Sequence, residues 1–211
     1  MSPLSTDLTA LLLAGGRSRR FGTDKARAEV NGKPMLQRVY EVARELTQHV
    51  LLSVRADGDF YFDLVPPAIP RLLDPVPEAG PLAGLVAGLR AAQTPWLLAL
   101  ACDLPSLTPE TLRLLLEARS SDTDAVVPVT SGNRRQPLCA LYRVHVVQSV
   151  AEAQLATGRY ALQELLDHLA ITSLPLPDAP LHNVNTPTDL SHELVHPRHC
   201  PSGSQPPRPD A

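Results

Sequence analysis

Two short apolar runs limit what this chain can fold into more than any other feature. Trp96-Leu-Leu-Ala-Leu-Ala101 contains no charged or amide residue, and Leu8-Thr-Ala-Leu-Leu-Leu13 is broken only by Thr9. Segments so short, and apolar on both faces, read as strands buried between two covering layers, as in parallel sheets. Around them lie stretches with helical spacing. Pro34–Thr47 places Met35, Val39, Val42, Ala43 and Leu46 on one face, with Pro34 suited to the first turn. Pro81–Ala92 does the same with Leu82, Leu85, Val86 and Leu89, while Gly84 and Gly88 allow close packing. Thr108-Pro-Glu110 opens another helix, with Thr108 as cap and Pro109 at the first helical position. His49–Val54 and Arg71–Leu73 add two strands. Regular alternation of strand and helix predicts an α/β fold: a three-layer α/β/α sandwich on a mostly parallel, Rossmann-like sheet.

The second half is less regular. Asp124–Thr130 and Pro137–Tyr142 read as strands around the polar turn Ser131–Gln136, Val144–Ala156 and Tyr160–Leu169 as helices, and His182–Asn185 as a short strand. Thr186 starts a last helix, with Asp189 reaching back to the cap. From Pro197 the chain is rich in Pro, Ser, Gly and Arg without apolar periodicity, so 197–211 is expected to be a disordered tail. With 211 residues and 44% apolar content, residues 1–196 are expected to form one domain with a substantial core.

Composition removes several function classes. A formal charge of −3 argues against a general nucleic-acid binder. Cys102, Cys139 and Cys200 are odd in number and lack CxxC spacing, which suggests neither a disulfide framework nor a zinc site. Cys102 and Cys139 lie in apolar runs and are expected to be buried thiols. No basic region precedes Leu8–Leu13, and that run is too short to span a membrane, so a cytoplasmic location is expected. His192 and His196, with His199 and Cys200, have ligand-like spacing but adjoin the tail with nothing to orient them, and they are not expected to bind metal.

The chemistry concentrates in Leu13-Ala-Gly-Gly-Arg-Ser-Arg-Arg-Phe-Gly-Thr-Asp-Lys25. A loop leaving the first strand of an open α/β sheet lies at the carboxyl edge, where ligands bind. Gly15 and Gly16 let the backbone approach phosphate oxygens, and Arg17, Arg19, Arg20 and Lys25 gather positive charge in an otherwise acidic chain. The loop is neither GxxxxGK[ST] nor GxGxxG, and arginines flank Ser18 where a nucleophile elbow needs glycines. Read alone, it could also be a basic surface loop. Asp103 follows the buried run Trp96–Ala101 and projects to the same edge, where one carboxylate suffices to begin a Mg²⁺ site. Asp74 ends a neighbouring strand in the same way, although an Asp before Pro75 also suits a plain turn. Asn133, Arg134 and Arg135 could receive an acceptor phosphate or could form a solvated hairpin tip.

These residues resemble molybdenum cofactor guanylyltransferases, within the nucleotide-diphospho-sugar transferase-like fold. The resemblance runs from about residue 8 to 195. It rests on Leu13–Lys25, Gly32-Lys-Pro34, Asp74-Pro followed by Gly80-Pro-Leu-Ala-Gly84, Ala101-Cys-Asp103-Leu-Pro105, Arg135-Gln-Pro-Leu-Cys-Ala-Leu-Tyr142 and Asn183-Val-Asn-Thr-Pro187. It implies transfer of GMP from GTP to the phosphate of molybdopterin, with Mg²⁺ on Asp103 and pyrophosphate as product. Leu13, Ala14, Gly15, Gly16, Lys25, Asp74 and Asp103 are implied to contact the nucleotide, with Lys25, Asp103 and Arg19 carrying the transfer. Ser53 stands where the family often has Asn and reaches less far. Asn183 and Asn185 fall on the pterin side. The implied partners are a molybdenum-insertion protein upstream and the molybdoenzymes, or their chaperones, that accept the product. Guanine over cytosine rests on the resemblance alone. A cytidylyltransferase, a sugar-phosphate nucleotidyltransferase of the same fold and an inactive regulatory module are the alternatives, the last at odds with the presence of both Lys25 and Asp103.

Overall fold

Side-chain alternation along each strand decides which covering layer every residue joins. In chain order the elements are β1 (Leu8–Leu13), β2 (Glu29–Val30), β3 (Lys33–Pro34), α1 (Met35–Arg44), β4 (His49–Val54), β5 (Arg71–Leu73), α2 (Pro81–Ala91), β6 (Trp96–Ala101), α3 (Pro109–Glu117), β7 (Ala125–Thr130), β8 (Arg134–Arg135), β9 (Cys139–Arg143), α4 (Val144–Ala156), α5 (Leu162–Leu166) and β10 (Ile171–Pro175). The computed structural model describes residues 4–14, 24–57, 59–186 and 189. Along β1, Leu8, Ala10 and Leu12 pack with Leu36 and Val39 of α1 and Leu112 and Leu115 of α3. Leu11 and Leu13 turn the other way, to Leu82, Leu85 and Val86 of α2, in a cluster shared with α4 and α5. Every residue of β1 and β6 is buried, as two-sided covering requires.

The sheet runs β10-β7-β9-β6-β1-β4-β5, with β8 pairing β7. Its long-range pairings are parallel except at β9, which lies antiparallel between β6 and β7. The short link from β7 to β9 leaves no room for a crossover, so β9 must reverse. The chain steps from β1 outward to β4 and β5, then returns to lay β6 on the other side of β1. Such a change of direction, here at the carboxyl ends of β1 and β6, is where open α/β sheets form their ligand crevice. Helix α2 lies close on that region: a Cβ at Gly84 would sit 2.6 Å from Leu13 Cδ2 and 2.5 Å from Ser53 Oγ.

Three expectations need revision. Ile171–Pro175 forms β10, parallel to β7, where no strand was expected; it is only partly buried, so it lacks an apolar run. His182–Asn185 is not a strand: among the described residues its backbone bonds to a loop, from Val184 N–H to the Asp103 carbonyl at 3.0 Å, and pairs with no strand. The Tyr160–Leu169 helix shrinks to α5. The cap after Asn185 does form: the Asp189 carboxylate accepts from Thr186 N at 2.9 Å, and Asp189 N donates to Thr186 Oγ1 at 3.3 Å. The expected tail, 197–211, lies outside the described residues. Among the described residues no helix is long and apolar enough to cross a membrane.

Candidate active site

Strand register brings the ends of three strands level. Leu13 pairs with Ala101 on one side and Ser53 on the other. The edge is sealed by Cys102 N donating to the Leu13 carbonyl (3.3 Å) and Ala14 N donating to the Ser53 carbonyl (3.1 Å). Val54 pairs with Leu73, which sets Asp74 beside the same edge. Leu13, Ala14, Ser53, Asp74 and Asp103 therefore collect at the carboxyl side of the sheet.

Lys25 arrives from the other side of the loop. It begins a 3-10 turn, Lys25–Arg27, that Asp24 caps by accepting Ala26 N at 3.0 Å, and buried Ala26 anchors the turn. Lys25 Nζ then lies 2.6 Å from Asp103 Oδ2 and 2.8 Å from Asn185 Oδ1. Asn183 Nδ2 donates to the other Asp103 oxygen at 2.9 Å. The asparagines are held from behind. Val184, between them, is buried with Val30 and Met35, beside the β2–β3 hairpin, so Asn183 and Asn185 alternate outward to one side. The hairpin turns at Asn31 and Gly32, both at positive φ (52° and 70°), the Asn-Gly pair such a tight reversal favours. Residues separated by up to 160 positions thus meet around one carboxylate. Lys25 and Asp103 side chains are 16% and 15% exposed, enough for a ligand to reach them.

Asp74 lies in a different setting. Ser53 Oγ donates to its Oδ1 at 2.9 Å, so serine at this position keeps a polar role. Burial pushes the Asp74 carboxyl above its ordinary range, while the Ser53 hydroxyl and the Arg55 charge pull it back.

Gly15, Gly16, Arg17, Arg19 and Arg20 lie outside the described residues, as do His192, His196, His199 and Cys200. Cys102 and Cys139 are free, buried thiols pushed by burial up to about 12, which leaves them unreactive. The polar turn expected at 131–136 contains β8. There Arg135 pairs with Asp167 (2.8 Å) and donates to Gln163 Oε1 (2.9 Å), so one of its two arginines is engaged within the fold. Beside it lies a recess of about 460 Å³ lined by Val129, Asn133, Arg134, Arg135, Gln163 and Ser173. Among the described residues no group of three or more His, Cys, Asp or Glu could form a metal cage. Sequence reasoning missed Arg27 of the Lys25 turn, the residues Asp59, Tyr61 and Asp63 that contact it, and Arg71, which binds carbonyls of their segment; the spacing Asp59-x-Tyr61-x-Asp63 was the trace it left.

Residues 10–172 match the family described as "MobA-like NTP transferase domain". The chain belongs to this family of nucleotidyltransferases. A Cupriavidus metallidurans protein named "Molybdenum cofactor guanylyltransferase" is 33% identical over 87% of this chain and 93% of its own length. A Nostoc sp. protein named "Probable molybdenum cofactor guanylyltransferase" is 35% identical over 88% of this chain and 89% of its own. Among solved structures, molybdopterin-guanine dinucleotide biosynthesis protein A from Archaeoglobus fulgidus superposes with a TM-score of 0.75, covering 89% of this chain and 97% of that one at 23% identity, a likeness of fold. This member of the molybdenum cofactor guanylyltransferase family is an enzyme of guanylyl transfer in molybdenum cofactor biosynthesis. Its sandwich is the fold its nucleotidyltransferase neighbours share.

Proposed function

We propose that this enzyme moves GMP from GTP to the terminal phosphate of molybdopterin, and that Lys25, Asp103, Asn183 and Asn185 form the centre of transfer. The observation that carries this reading is their meeting at the crevice between β1 and β6, with Lys25 bonded to both Asp103 and Asn185. An oxygen of the pterin phosphate bonds to the α-phosphorus of GTP as the bond to the bridging oxygen breaks, and that electron pair leaves with pyrophosphate. The attacking oxygen is already anionic, so no protein base is needed. What the protein must supply is alignment and charge.

The donor set suits a small, hard cation. Asp103 offers carboxylate oxygens and Asn185 an amide oxygen at hydrogen-bond range of one ammonium, and magnesium is usually held by one or two carboxylates with water and phosphate oxygens. Asp103 would hold Mg²⁺ there, where the ion neutralises phosphate charge. Lys25, at the mouth of the loop, supplies fixed positive charge for the departing pyrophosphate, with Arg19 adding to it. Leu13 and Ala14 border the nucleotide at the strand end, Gly15 and Gly16 are assigned to its phosphates, and Ser53 and Asp74 border its nucleoside end. Asn183 and Asn185, whose amides bond to Asp103 and Lys25, border the acceptor side of the centre. Two free, buried thiols suit a reducing cytoplasm.

The test is pyrophosphate release from GTP, CTP, ATP and UTP with Mg²⁺, with and without molybdopterin. Release from GTP alone, and only with molybdopterin, is expected. Preference for CTP would move the assignment to cytidylyl transfer, and reaction only with a sugar phosphate would overturn the acceptor.

A further inference from the structure

Between β4 and β5 lies a segment that the transfer centre does not explain. Arg71, at the start of β5, donates to the carbonyls of Phe60 (3.1 Å), Val65 (2.7 Å), Pro66 (2.7 Å) and Ile69 (2.5 Å), and its guanidinium stacks 4.6 Å from the Phe62 ring centre. One side chain thereby ties residues 60–69 into a unit. Within that unit Tyr61 has φ = 55°, a conformation an L residue holds only when its surroundings enforce it. Here they do: Asp59 Oδ1 accepts Tyr61 N at 2.8 Å, and the Tyr61 carbonyl accepts Leu64 N (3.1 Å) and Val65 N (3.0 Å).

The consequence of this backbone is the aim of the ring. Tyr61 is 4% exposed and packs in the α1/α3-side core. Its hydroxyl donates to the Ala14 carbonyl at 3.4 Å, and the Asp24 carboxylate lies close enough to hold that proton on. Ala14 is the residue before the glycine and arginine loop 15–23, and Asp24 is the residue after it and the cap of the Lys25 turn. Over the same ring lies Arg27, 5.7 Å from its centre, which closes that turn. Arg27 donates to Asp59 from Nε at 2.7 Å and to Asp63 from Nη1 at 2.7 Å and Nη2 at 2.9 Å. The segment therefore touches Ala14, which precedes residues 15–23, and, through Arg27, the turn after them that carries Lys25.

We infer that Tyr61 is a positioning residue for nucleotide transfer: its hydroxyl holds the Ala14 carbonyl at the end of β1, while its ring backs Arg27, which Asp59 and Asp63 fix in the Lys25 turn. The inference rests on the proposed GTP site at that loop. Burial and the neighbouring Asp24 hold the Tyr61 hydroxyl protonated well above its ordinary range, so it stays a donor at any physiological pH.

The test compares the wild type with Tyr61→Phe, which keeps the ring and removes the hydroxyl. Two quantities are read: KM and kcat for GTP in pyrophosphate release with molybdopterin, and amide hydrogen exchange over residues 14–24. A rise in KM for GTP of about five- to tenfold is expected, with kcat changed less than about twofold, matching loss of one hydrogen bond. Exchange over 14–24 should quicken while that over β6 stays as in the wild type. Wild-type values for both KM and exchange would overturn the inference. Should wild-type protein release no pyrophosphate from GTP, the functional reading fails, and the exchange comparison still decides the role of Tyr61. If Tyr61→Phe does not fold, Asp59→Asn, which retains an acceptor for Tyr61 N, is read in the same way, and unchanged exchange over 14–24 overturns the inference.

Discussion

Asp103 and Asp74 hold the same place in the architecture and have different surroundings. Each follows a strand of the parallel half and stands at its carboxyl end. Asp103 faces an ammonium at 2.6 Å and an amide at 2.9 Å. Asp74 faces one hydroxyl at 2.9 Å, and burial raises its pKa. The difference comes from what the rest of the chain delivers to each strand end. Two segments remote in sequence, the Lys25 turn and residues 183–185, converge on the end of β6, whereas among the described residues Asp74 at the end of β5 bonds to Ser53 of the adjacent strand. A strand-end carboxylate is thus only an opportunity, and the side chains brought to it set its charge environment; on the proposed reading Asp103 serves the transfer and Asp74 the nucleoside.

Substitutions can break that contrast. Asp103→Asn should cut turnover the most, on the order of 10³-fold, because the charge that would hold the cation is gone. Steady-state kinetics over a magnesium titration will show this, and loss confined to KM would assign Asp103 to binding alone. Lys25→Ala should lower kcat by about 10²–10³-fold if its charge acts in the transition state. Unchanged kcat would remove Lys25 from the mechanism. Asp74→Asn should act more weakly, raising KM for GTP by about tenfold or less with kcat nearly kept. A kcat loss equal to that of Asp103→Asn would erase the distinction between the two carboxylates.

The pH dependence sharpens the contrast. Burial holds the folded Asp74 carboxyl above the ordinary carboxylate range, so the folded chain binds that proton more tightly than the unfolded chain does. Stability from this group is therefore present at low pH and is lost as pH rises through the raised pKa. Asp74→Asn removes the loss. The variant should melt slightly higher than wild type at pH 7, by no more than about 2 °C for a half-exposed group, with the gap closing as pH falls toward 4. Thermal scans at several pH values will check the sign. The smallest effect is expected for Ser53→Ala, a few-fold rise in KM for GTP from loss of one hydroxyl donor to Asp74.

What was legible in the sequence follows the same division. Strands β1, β4 and β6 advertise themselves because burial on both faces demands unbroken apolar runs, and their ends locate Leu13, Ser53 and Asp103. Asn183 and Asn185 were reached through a motif and not through a structural pattern: the strand expected there is an extended segment whose Val184 N–H bonds to Asp103. Strand β10 escaped notice because a half-buried margin does not require apolar residues. The segment 59–70 was illegible for a different reason. Pro66, Pro67 and Pro70 leave it no periodicity, and much of its order comes from one guanidinium, Arg71, bonding to carbonyls that any sequence would provide.

The central claim is that Lys25 and Asp103 act as one unit in GMP transfer. A double-mutant cycle tests it most directly, following GTP labelled at the α-phosphate into the molybdopterin product in wild type, Lys25→Ala, Asp103→Asn and the double variant. The account predicts strong non-additivity, with the double variant losing little more than the worse single variant. If the two losses simply multiply, the residues act independently, and the centre drawn around Asp103 is wrong.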